Sequence, residues 1–199
     1  MDKRKIRDYI YLFGSILFSV FYLPHLCCYL LKSNTKKEFF LKRDIERMLT
    51  RVNINLSPII GLLYLLHTNA YFRTLFYYRI GPIAAMLIGW YRPGDKHFII
   101  SKTLKMDGGF LLAHPYATIL NADSIGENFS CRHCTTLGAT DKGRPIIGNN
   151  VNLGATVTII GNVKIGNNVI VGAGSVVVKD VPDNCIVAGN PAKIIRYIE

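Results

Sequence analysis

From about residue 98 onward, the apolar positions of the chain recur every six residues. Stepping by six, with one slip of four extra residues after Leu137, gives ten apolar anchors: Ile119, Ile125, Cys131, Leu137, Ile147, Leu153, Ile159, Ile165, Val171 and Val177. An α-helix would scatter these anchors around its circumference, and an ordinary strand would alternate with a period of two. The period of six therefore predicts a coil of short strands joined by tight corners, with each anchor pointing inward.

The residues between the anchors also repeat. The fourth residue after an anchor is apolar or small at eight positions: Phe129, Thr135, Val151, Val157, Val163, Val169, Ser175 and Val181. Glycine directly follows six anchors, and asparagine pairs come next at 149–150 and 167–168. Both residue types tolerate left-handed backbone angles, so they suit corners. Three such sides would close a triangular prism whose coils stack their apolar ladders.

The first 97 residues show a different, helical pattern. Residues 36–52 place five apolar side chains on one face of a helix whose other side is basic: Leu41, Ile45, Met48, Leu49 and Val52. A second apolar segment opens at Ser57-Pro58, Gly81-Pro82 interrupts it, and residues 92–95 form a turn. We therefore predict a helical, hydrophobic and basic region over 1–97, followed by a β-coil domain over 98–199.

Residues 9–31 form an uncharged run of 23 positions, preceded by Lys3, Arg4, Lys5 and Arg7. The run is long enough to span a bilayer, although Pro24 weakens a straight helix. No small-residue cleavage site follows it, which argues against a signal peptide. Basic residues flank both ends, so the orientation is not fixed. Two interpretations stay open: a membrane anchor or interfacial segment, and a helix buried in a subdomain or an oligomer contact.

Positive charge is concentrated in the first half of the chain. Through residue 112 there are 17 Lys and Arg against 7 Asp and Glu, a net of +10, and from 113 on there are 7 against 6, a net of +1. Because no nucleic-acid-binding motif accompanies the charge, we do not expect a nucleic-acid partner. A basic and very apolar first half favours an anionic membrane surface, with a simply solvated basic face as the alternative.

The chain has five cysteines, at 27, 28, 131, 134 and 185. An odd count with one adjacent pair is not a disulfide framework and favours a reducing compartment. Cys131 and Cys134 with His133 between them could be a redox pair or half a zinc site, but there is no second pair to complete four ligands. Cys131 also falls on an inward anchor, which predicts a buried side chain and no bound metal.

The segment from 147 to 195, ending in GNPAK, together with HPYATILNADSIGENF before it and LFYYRIG upstream, resembles a known family. It is similar to hexapeptide-repeat acyltransferases of the serine acetyltransferase branch, and within that branch it most resembles capsule and exopolysaccharide O-acetyltransferases. The resemblance covers about residues 70–196. It implies a mainly β fold, a left-handed parallel β-helix with an α-helical N-terminal extension. It also implies a homotrimer, acetyl-CoA as co-substrate and active sites between neighbouring prisms.

Acetyl transfer to a hydroxyl needs a base for the hydroxyl proton and hydrogen-bond donors for the oxyanion. Histidine suits the base because its pKa lies near neutrality. His25 and His67 lie in apolar helical segments, and His97 lies near a turn with no motif around it. By its offset from the repeat, His114 matches the family's catalytic histidine, and His133 is the second candidate.

The sequence departs from serine acetyltransferases around His114. The family's orienting aspartate is replaced by Ile99, the acid before the histidine by Ala113, and an Arg-His pair by Gly143-Arg144. The acids and imidazole that would hold a free amino acid are therefore missing. A sugar hydroxyl fits better than serine, with Arg144 as an acceptor contact and Asp107 or a carbonyl as the group that orients the histidine.

The resemblance also assigns the coenzyme A site. It places Ala155 and Ala173 against the pantetheine arm and the amides near Gly138 and Ala139 at the thioester. Lys179 and Lys193 are candidate phosphate partners, with solvated surface charges as the alternative. We expect an acetyl-CoA-dependent O-acetyltransferase acting on a carbohydrate or lipid-linked glycan, in the cytoplasm or at the inner membrane. Serine O-acetylation and a non-catalytic β-helix module are the alternatives.

Overall fold

The computed structural model describes residues 3–31 and 35–198, without the side chains of residues 3–6 and 8. The basic side chains expected at positions 3–5 therefore lie outside the described residues. The chain divides into two compact units, Met1–Asp95 and Lys96–Glu199. This division falls close to the change of sequence pattern near residue 98.

The described part of the first unit is helical. It contains a 3₁₀ turn (Ser19–Tyr22) and six α-helices: α1 (Lys3–Leu17), α2 (Leu23–Leu30), α3 (Lys36–Arg51), α4 (Pro58–Thr68), α5 (Ala70–Ile80) and α6 (Pro82–Ile88). Side chains cap two of them: Thr35 accepts a hydrogen bond from the Glu38 N–H, and Asn69 accepts one from the Phe72 N–H at 3.0 Å. Gly81, with φ of 93°, separates α5 from α6. These caps and breaks cut the apolar segment after Ser57 into three short helices.

Helix α3 buries the face that its apolar spacing predicts, with one exception. Leu41, Ile45, Met48 and Leu49 are buried, but Val52 is 48% exposed because the helix ends at Arg51. The same helix buries Asp44, which forms a bidentate ion pair with Arg79 of α5 at 2.9 and 3.4 Å. An ion pair removed from water in this way ties the two helices together in one orientation.

The uncharged run 9–31 is not one straight helix. Helix α1 ends at Leu17, and the segments Tyr9–Leu17 and Ser19–Leu30 meet at an angle of 69°. Among the described residues, no single helix has both the length and the apolar composition of a membrane span; this bent pair has them only jointly.

The second unit is a coil of short parallel strands. It contains fifteen strands: β1 (Phe98–Ile100), β2 (Lys105–Met106), β3 (Leu111–Ala113), β4 (Thr118–Leu120), β5 (Ser124–Ile125), β6 (Ser130–Arg132), β7 (Thr136–Gly138), β8 (Ile146–Ile147), β9 (Asn152–Leu153), β10 (Thr158–Ile160), β11 (Lys164–Ile165), β12 (Ile170–Val171), β13 (Val176–Val177), β14 (Cys185–Gly189) and β15 (Ala192–Tyr197).

Every third strand pairs with its equivalent in the next coil, which gives three sheets. The first is β1-β4-β7-β10-β13, the second β2-β5-β8-β11, and the third β3-β6-β9-β12-β14-β15. All neighbours are parallel except β14 and β15. The predicted fold class, a parallel β-helix with an α-helical extension, is confirmed. The three edges where the sheets meet are named below by their side chains.

Nine of the ten predicted anchors line the interior, and Ile119 does not. Ile119 is 40% exposed, whereas its neighbour Leu120 is fully buried and pairs with the anchor Leu137. The step from Leu120 to Ile125 is five residues, so the corner between them is one residue shorter than the repeat. All eight positions four residues after an anchor are buried, including the polar Thr135 and Ser175.

The edge between the second and third sheets, here called the asparagine corner, is a ladder of asparagine side chains. Asn128, Asn150, Asn168 and Asn184 all have φ between 55° and 57°. Each side-chain amide donates to the next: Asn128 to Asn150 and Asn150 to Asn168 at 2.9 Å, and Asn168 to Asn184 at 2.7 Å. Asparagine thus supplies both the left-handed corner and a bond between coils.

Replacing Asn150 with alanine should lower the free energy of unfolding by about 1–3 kcal/mol. It removes two ladder bonds and leaves, at positive φ, a side chain that lacks the local hydrogen bonds by which asparagine stabilises this conformation. Asn150→Gly is the matched control, because it loses the same bonds but tolerates the backbone angle. Urea unfolding followed by circular dichroism measures both. We expect glycine to lie between wild type and alanine. Wild-type stability of the alanine variant would show that the ladder contributes nothing.

Candidate active site

The histidine corner is the edge between the third and first sheets, and it is enlarged where it carries His114. Before the corner, Ala113 pairs with Arg132, 19 residues away; after it, Ile119 pairs with Thr136, 17 residues away. The corner after β3 therefore holds two more residues than the corner after β6. Its ends, His114 and Ala117, have φ of 53° and 50°. His114 is exposed at this corner.

Four of the predicted site residues lie along this corner: His114, His133, Ala155 and Ala173. Each lies three residues after a member of a set of register-paired residues: Leu111, Ser130, Asn152 and Ile170. Backbone hydrogen bonds run from the Thr156 N–H to the His133 carbonyl at 3.0 Å and from the Gly174 N–H to the Ala155 carbonyl at 2.8 Å. The equivalent bond from the Cys134 N–H goes to the Tyr116 carbonyl at 2.8 Å, so Tyr116 is the direct neighbour of His133 in the stack. Two imidazoles are thus followed by two methyl groups along the edge. The small side chains leave room for a ligand beside the histidines.

Two further residues belong to this corner, and the sequence reasoning missed them. His97 precedes β1, and its ring centroid lies 4.9 Å from that of Tyr116 in the enlarged corner. The Thr118 N–H donates to the His97 carbonyl at 3.0 Å, so His97 stacks as a coil member. The sequence signal that could have identified His97 is its position directly before β1, the first strand of the coil. The corner therefore presents three imidazoles and a phenol.

The loop corner, between the first and second sheets, carries a second group of predicted residues: Gly138, Ala139, Arg144 and Lys179. Gly138 ends β7, and residues 140–143 fold back on themselves through the Thr140 N–H to Gly143 carbonyl bond of 2.9 Å. Among the described residues, the Ala139 N–H has no acceptor. Lys179 is exposed two residues after β13.

Arg144 is already engaged at the loop corner. Its Nε lies 2.9 Å from Asp123 Oδ1, and its Nη1 donates to Thr103 Oγ1 at 2.6 Å. Asp123 belongs to the preceding coil and Thr103 to the coil before that, and the ion pair is partly exposed. The guanidinium is therefore fixed against the prism, with its remaining N–H groups toward solvent.

Asp107 lies at the asparagine corner, directly after β2, whereas His114 follows β3. A whole strand separates them, so within one chain Asp107 does not lie at the histidine corner. Ile99 pairs with Ile119 on the outer face of the first sheet and puts no carboxylate there. The group that orients His114 stays a prediction.

Lys193 lies near the alanine residues of the histidine corner. It pairs with Ala188 across the antiparallel β14–β15 ladder. Ala188 in turn stacks on Gly172, where an added Cβ would come within 2.9 Å of the alanine Cβ. Lys193 is thus close to Ala173, while Lys179 lies at the loop corner at the other edge of the first sheet.

The two thiols that flank His133 point to different environments. Cys131 is fully buried inside the coil, and burial raises the pKa of its thiol to about 12. Cys134 is at the corner with φ of 56°. Over residues 3–31 and 35–198, no group of three or more His, Cys, Asp or Glu side chains is placed to hold a metal ion. Cys131 therefore fills the core, as its anchor position predicts.

Residues 144–179 match the model of the bacterial transferase hexapeptide repeat. Over 105 residues the chain is 43% identical to serine acetyltransferase 4 of Arabidopsis thaliana, which covers 50% of this chain and 30% of that protein. Over 89 residues it is 46% identical to the putative colanic acid biosynthesis acetyltransferase WcaB of Escherichia coli K12, covering 43% of this chain and 55% of WcaB. The chain thus matches about a third to about half the length of these relatives.

Solved structures extend the similarity into the helical unit. The crystal structure of serine acetyltransferase from Neisseria gonorrhoeae superposes with a TM-score of 0.66 at 28% identity, covering 83% of this chain and 70% of that one. A serine acetyltransferase in complex with CoA gives a TM-score of 0.63 at 26% identity, covering 82% and 72%. Residues 144–179 therefore carry the hexapeptide repeats of bacterial transferases, and the chain is similar to serine acetyltransferases and to WcaB.

Proposed function

We propose that the protein is an acetyl-CoA-dependent O-acetyltransferase that acts on a hydroxyl of a carbohydrate or lipid-linked glycan. The observation that carries this proposal is the histidine corner, where the exposed His114 lies along the same edge as His133 and the small residues Ala155 and Ala173. The CoA complex of a similar serine acetyltransferase supports acetyl-CoA as the donor. Because acetyl-CoA is a cytoplasmic metabolite, we place the repeat unit in the cytoplasm.

In this proposal His114 takes the acceptor's hydroxyl proton as the oxygen attacks the thioester carbon. The carbonyl oxygen then carries negative charge and needs hydrogen-bond donors. The Ala139 N–H, which has no acceptor among the described residues, suits that role. When the intermediate collapses, the thiolate leaves and His114 can return the proton to it. His133 lines the same corner and is the second candidate for the base.

The charge at the histidine corner supports a neutral acceptor. The described residues of this corner, 97, 114–117, 132–135, 154–156 and 172–174, include no Asp or Glu. A free amino acid would bring an ammonium group that needs a carboxylate, whereas a sugar hydroxyl needs only neutral hydrogen bonds. Serine O-acetylation is the second candidate, and the number of similar serine acetyltransferases favours it.

We further propose that each active site is shared between neighbouring copies in a homotrimer. The histidine corner and the loop corner lie at opposite edges of the first sheet, so one chain does not bring His114 and Ala139 together. The outer face of this sheet is apolar, with Ile99, Ile119 and Ile160 exposed. Packing such faces would bury apolar surface and place one chain's histidine corner beside the next chain's loop corner.

His114→Ala should lower the rate of acetyl-CoA-dependent CoA release by a factor of about 10²–10⁴, the usual contribution of a general base. The assay is thiol release with a panel of glycans and with serine as acceptors. His133→Ala is the matched control, since it removes a histidine from the same corner and should cost less.

Each outcome of this panel separates the candidates. Release with serine alone would favour serine O-acetylation and overturn the glycan proposal. Full activity of His114→Ala would remove it as the base. Absence of release with every acceptor, and with water, would favour a non-catalytic module.

Mixing two inactive variants should restore activity if sites are shared between chains. His114→Ala damages one half-site and Arg144→Ala the other, so each mixed trimer keeps one of its three sites with both halves intact. The measurement is CoA release after the two variants are co-expressed with different affinity tags and purified as mixed assemblies. The control is the double variant, His114→Ala with Arg144→Ala in one chain, co-expressed under the same two affinity tags. Recovery no better than that control would place both residues in one chain's site.

A further inference from the structure

The helical unit contains a cavity that takes no part in the proposed acetyl transfer. It has a volume of about 410 Å³ and is lined by Phe18, Phe21, Tyr22, His67, Tyr91 and Arg92. Its walls are therefore aromatic rings, two of them with hydroxyls, together with one imidazole and one guanidinium. All of these residues lie within Met1–Asp95, so the cavity belongs to the helical unit alone.

Arg92 is held at the cavity by neutral groups. Its Nη2 donates to the Tyr22 hydroxyl and, at 3.4 Å, to the His67 carbonyl, and its guanidinium lies 5.3 Å from the Tyr22 ring centroid. Its Nε is buried and has no hydrogen-bond partner. Among the described residues, no carboxylate forms an ion pair with it. A buried donor without an acceptor is costly, so this group is suited to an incoming acceptor.

The surroundings add positive charge and do not neutralise it. The guanidinium of Arg73 donates to the carbonyls of Pro93 and Leu66, both at 2.8 Å, and has no carboxylate partner among the described residues. Burial and the proximity of Arg92 lower the pKa of Arg73. Burial and both arginines lower the pKa of His25 to about 4, so that imidazole is neutral. Partly buried charges are normally paired with an opposite charge, but neither Arg73 nor Arg92 has a carboxylate partner among the described residues.

Exposed apolar side chains border the cavity on two sides. Phe18, Val20 and Phe21 of the 3₁₀ turn segment are each more than two-fifths exposed. Helix α6 exposes Ile83, Met86 and Leu87, and Trp90, which lies after the helix and directly before Tyr91, is 78% exposed. Helices α2 and α6 contact each other, so the two apolar groups belong to one packed region. An unpaired cation beside exposed apolar and aromatic side chains is the combination that fits an amphiphilic anion.

We propose that this cavity binds the phosphate of an anionic lipid, with the headgroup on Arg92 and the hydrocarbon chains against the 3₁₀ turn and α6. The Arg92 guanidinium has N–H groups beyond those already bonded, and these can donate to the phosphate, whereas the Tyr91 hydroxyl already donates to the Phe21 carbonyl. Met1–Asp95 carries 14 Lys and Arg against 6 Asp and Glu, a net of +8, which attracts the unit to an anionic surface. This inference rests on the helical unit and is independent of the proposed acetyl transfer.

The test is flotation of the full chain with vesicles of phosphatidylcholine alone and of phosphatidylcholine mixed with phosphatidylglycerol. We expect binding to the mixed vesicles, weakened at least about tenfold by Arg92→Gln because charge-assisted hydrogen bonds to phosphate are lost. The matched control is Arg51→Gln, which changes the net charge equally at an exposed position and should weaken binding less than about fivefold. Arg92→Lys, which keeps the charge but loses the fork, should be intermediate.

A second variant, Phe21→Ser, tests the same cavity without replacing Arg92, so its result does not depend on whether the Arg92 variants fold. Phe21 is more than half exposed, so its replacement should leave the circular dichroism spectrum unchanged while weakening vesicle binding severalfold. Equal binding to both vesicle types, or equal losses for Arg92→Gln and Arg51→Gln, would overturn the headgroup site.

Two other occupants would also overturn the proposal. Binding of inorganic phosphate without vesicle binding would show a soluble anion site. Self-association that Phe21→Ser abolishes, seen by analytical ultracentrifugation, would show that a second copy of the chain covers the apolar side chains. None of these readouts depends on CoA release.

Discussion

The register between successive coils is the constraint on which the rest of the repeat unit depends. At the asparagine and histidine corners, backbone N–H groups such as those of Asn150 and Thr156 bond to the preceding coil, which fixes the height of one coil on the next. The asparagine corner makes this register specific, because Asn150 holds a left-handed angle and bonds to both Asn128 and Asn168. His133 and Ala155 stack at a different edge only because that register is maintained. The chemistry of one corner is thus set by the side chains of another.

The two extra residues at the histidine corner are a local departure that the rest of the coil tolerates. Across this corner, the number of residues between paired positions in successive coils changes from 19 to 17. Leu112 before the corner and Leu120 after it nevertheless both stay buried. A prism can therefore project a side chain from one corner without losing its core. Within one chain, the His114 imidazole has only the residues of its own corner beside it, which form half of the proposed site. The complementary half, with Ala139 and Arg144, lies one sheet away, which makes a neighbouring chain the natural source of the remainder.

The period of six was enough to predict the interior of the coil, including the burial of Cys131, because anchors and their followers repeat independently. It failed at Ile119, where a corner is one residue shorter, since a period carries no information on single-residue deletions. It did not include His97, because that residue precedes the first repeat. Hydropathy predicted the run 9–31 as one segment but could not show the 69° bend, which depends on packing against the other helices. The distribution of site residues over different corners required the strand pairing itself.

Two histidines of the helical unit, His25 and His67, lie close to its arginines Arg73 and Arg92. His25 lies 2.9 Å from the Tyr77 hydroxyl and 3.2 Å from that of Tyr91, and burial also lowers the pKa of His67. Protonation of either would add a third positive charge beside Arg73 and Arg92, which have no carboxylate partner among the described residues. The buried Asp44 does not relieve them, because it is paired with Arg79. The positive charge at the cavity is therefore maintained by the fold, and an anion from outside the chain is the group that would balance it.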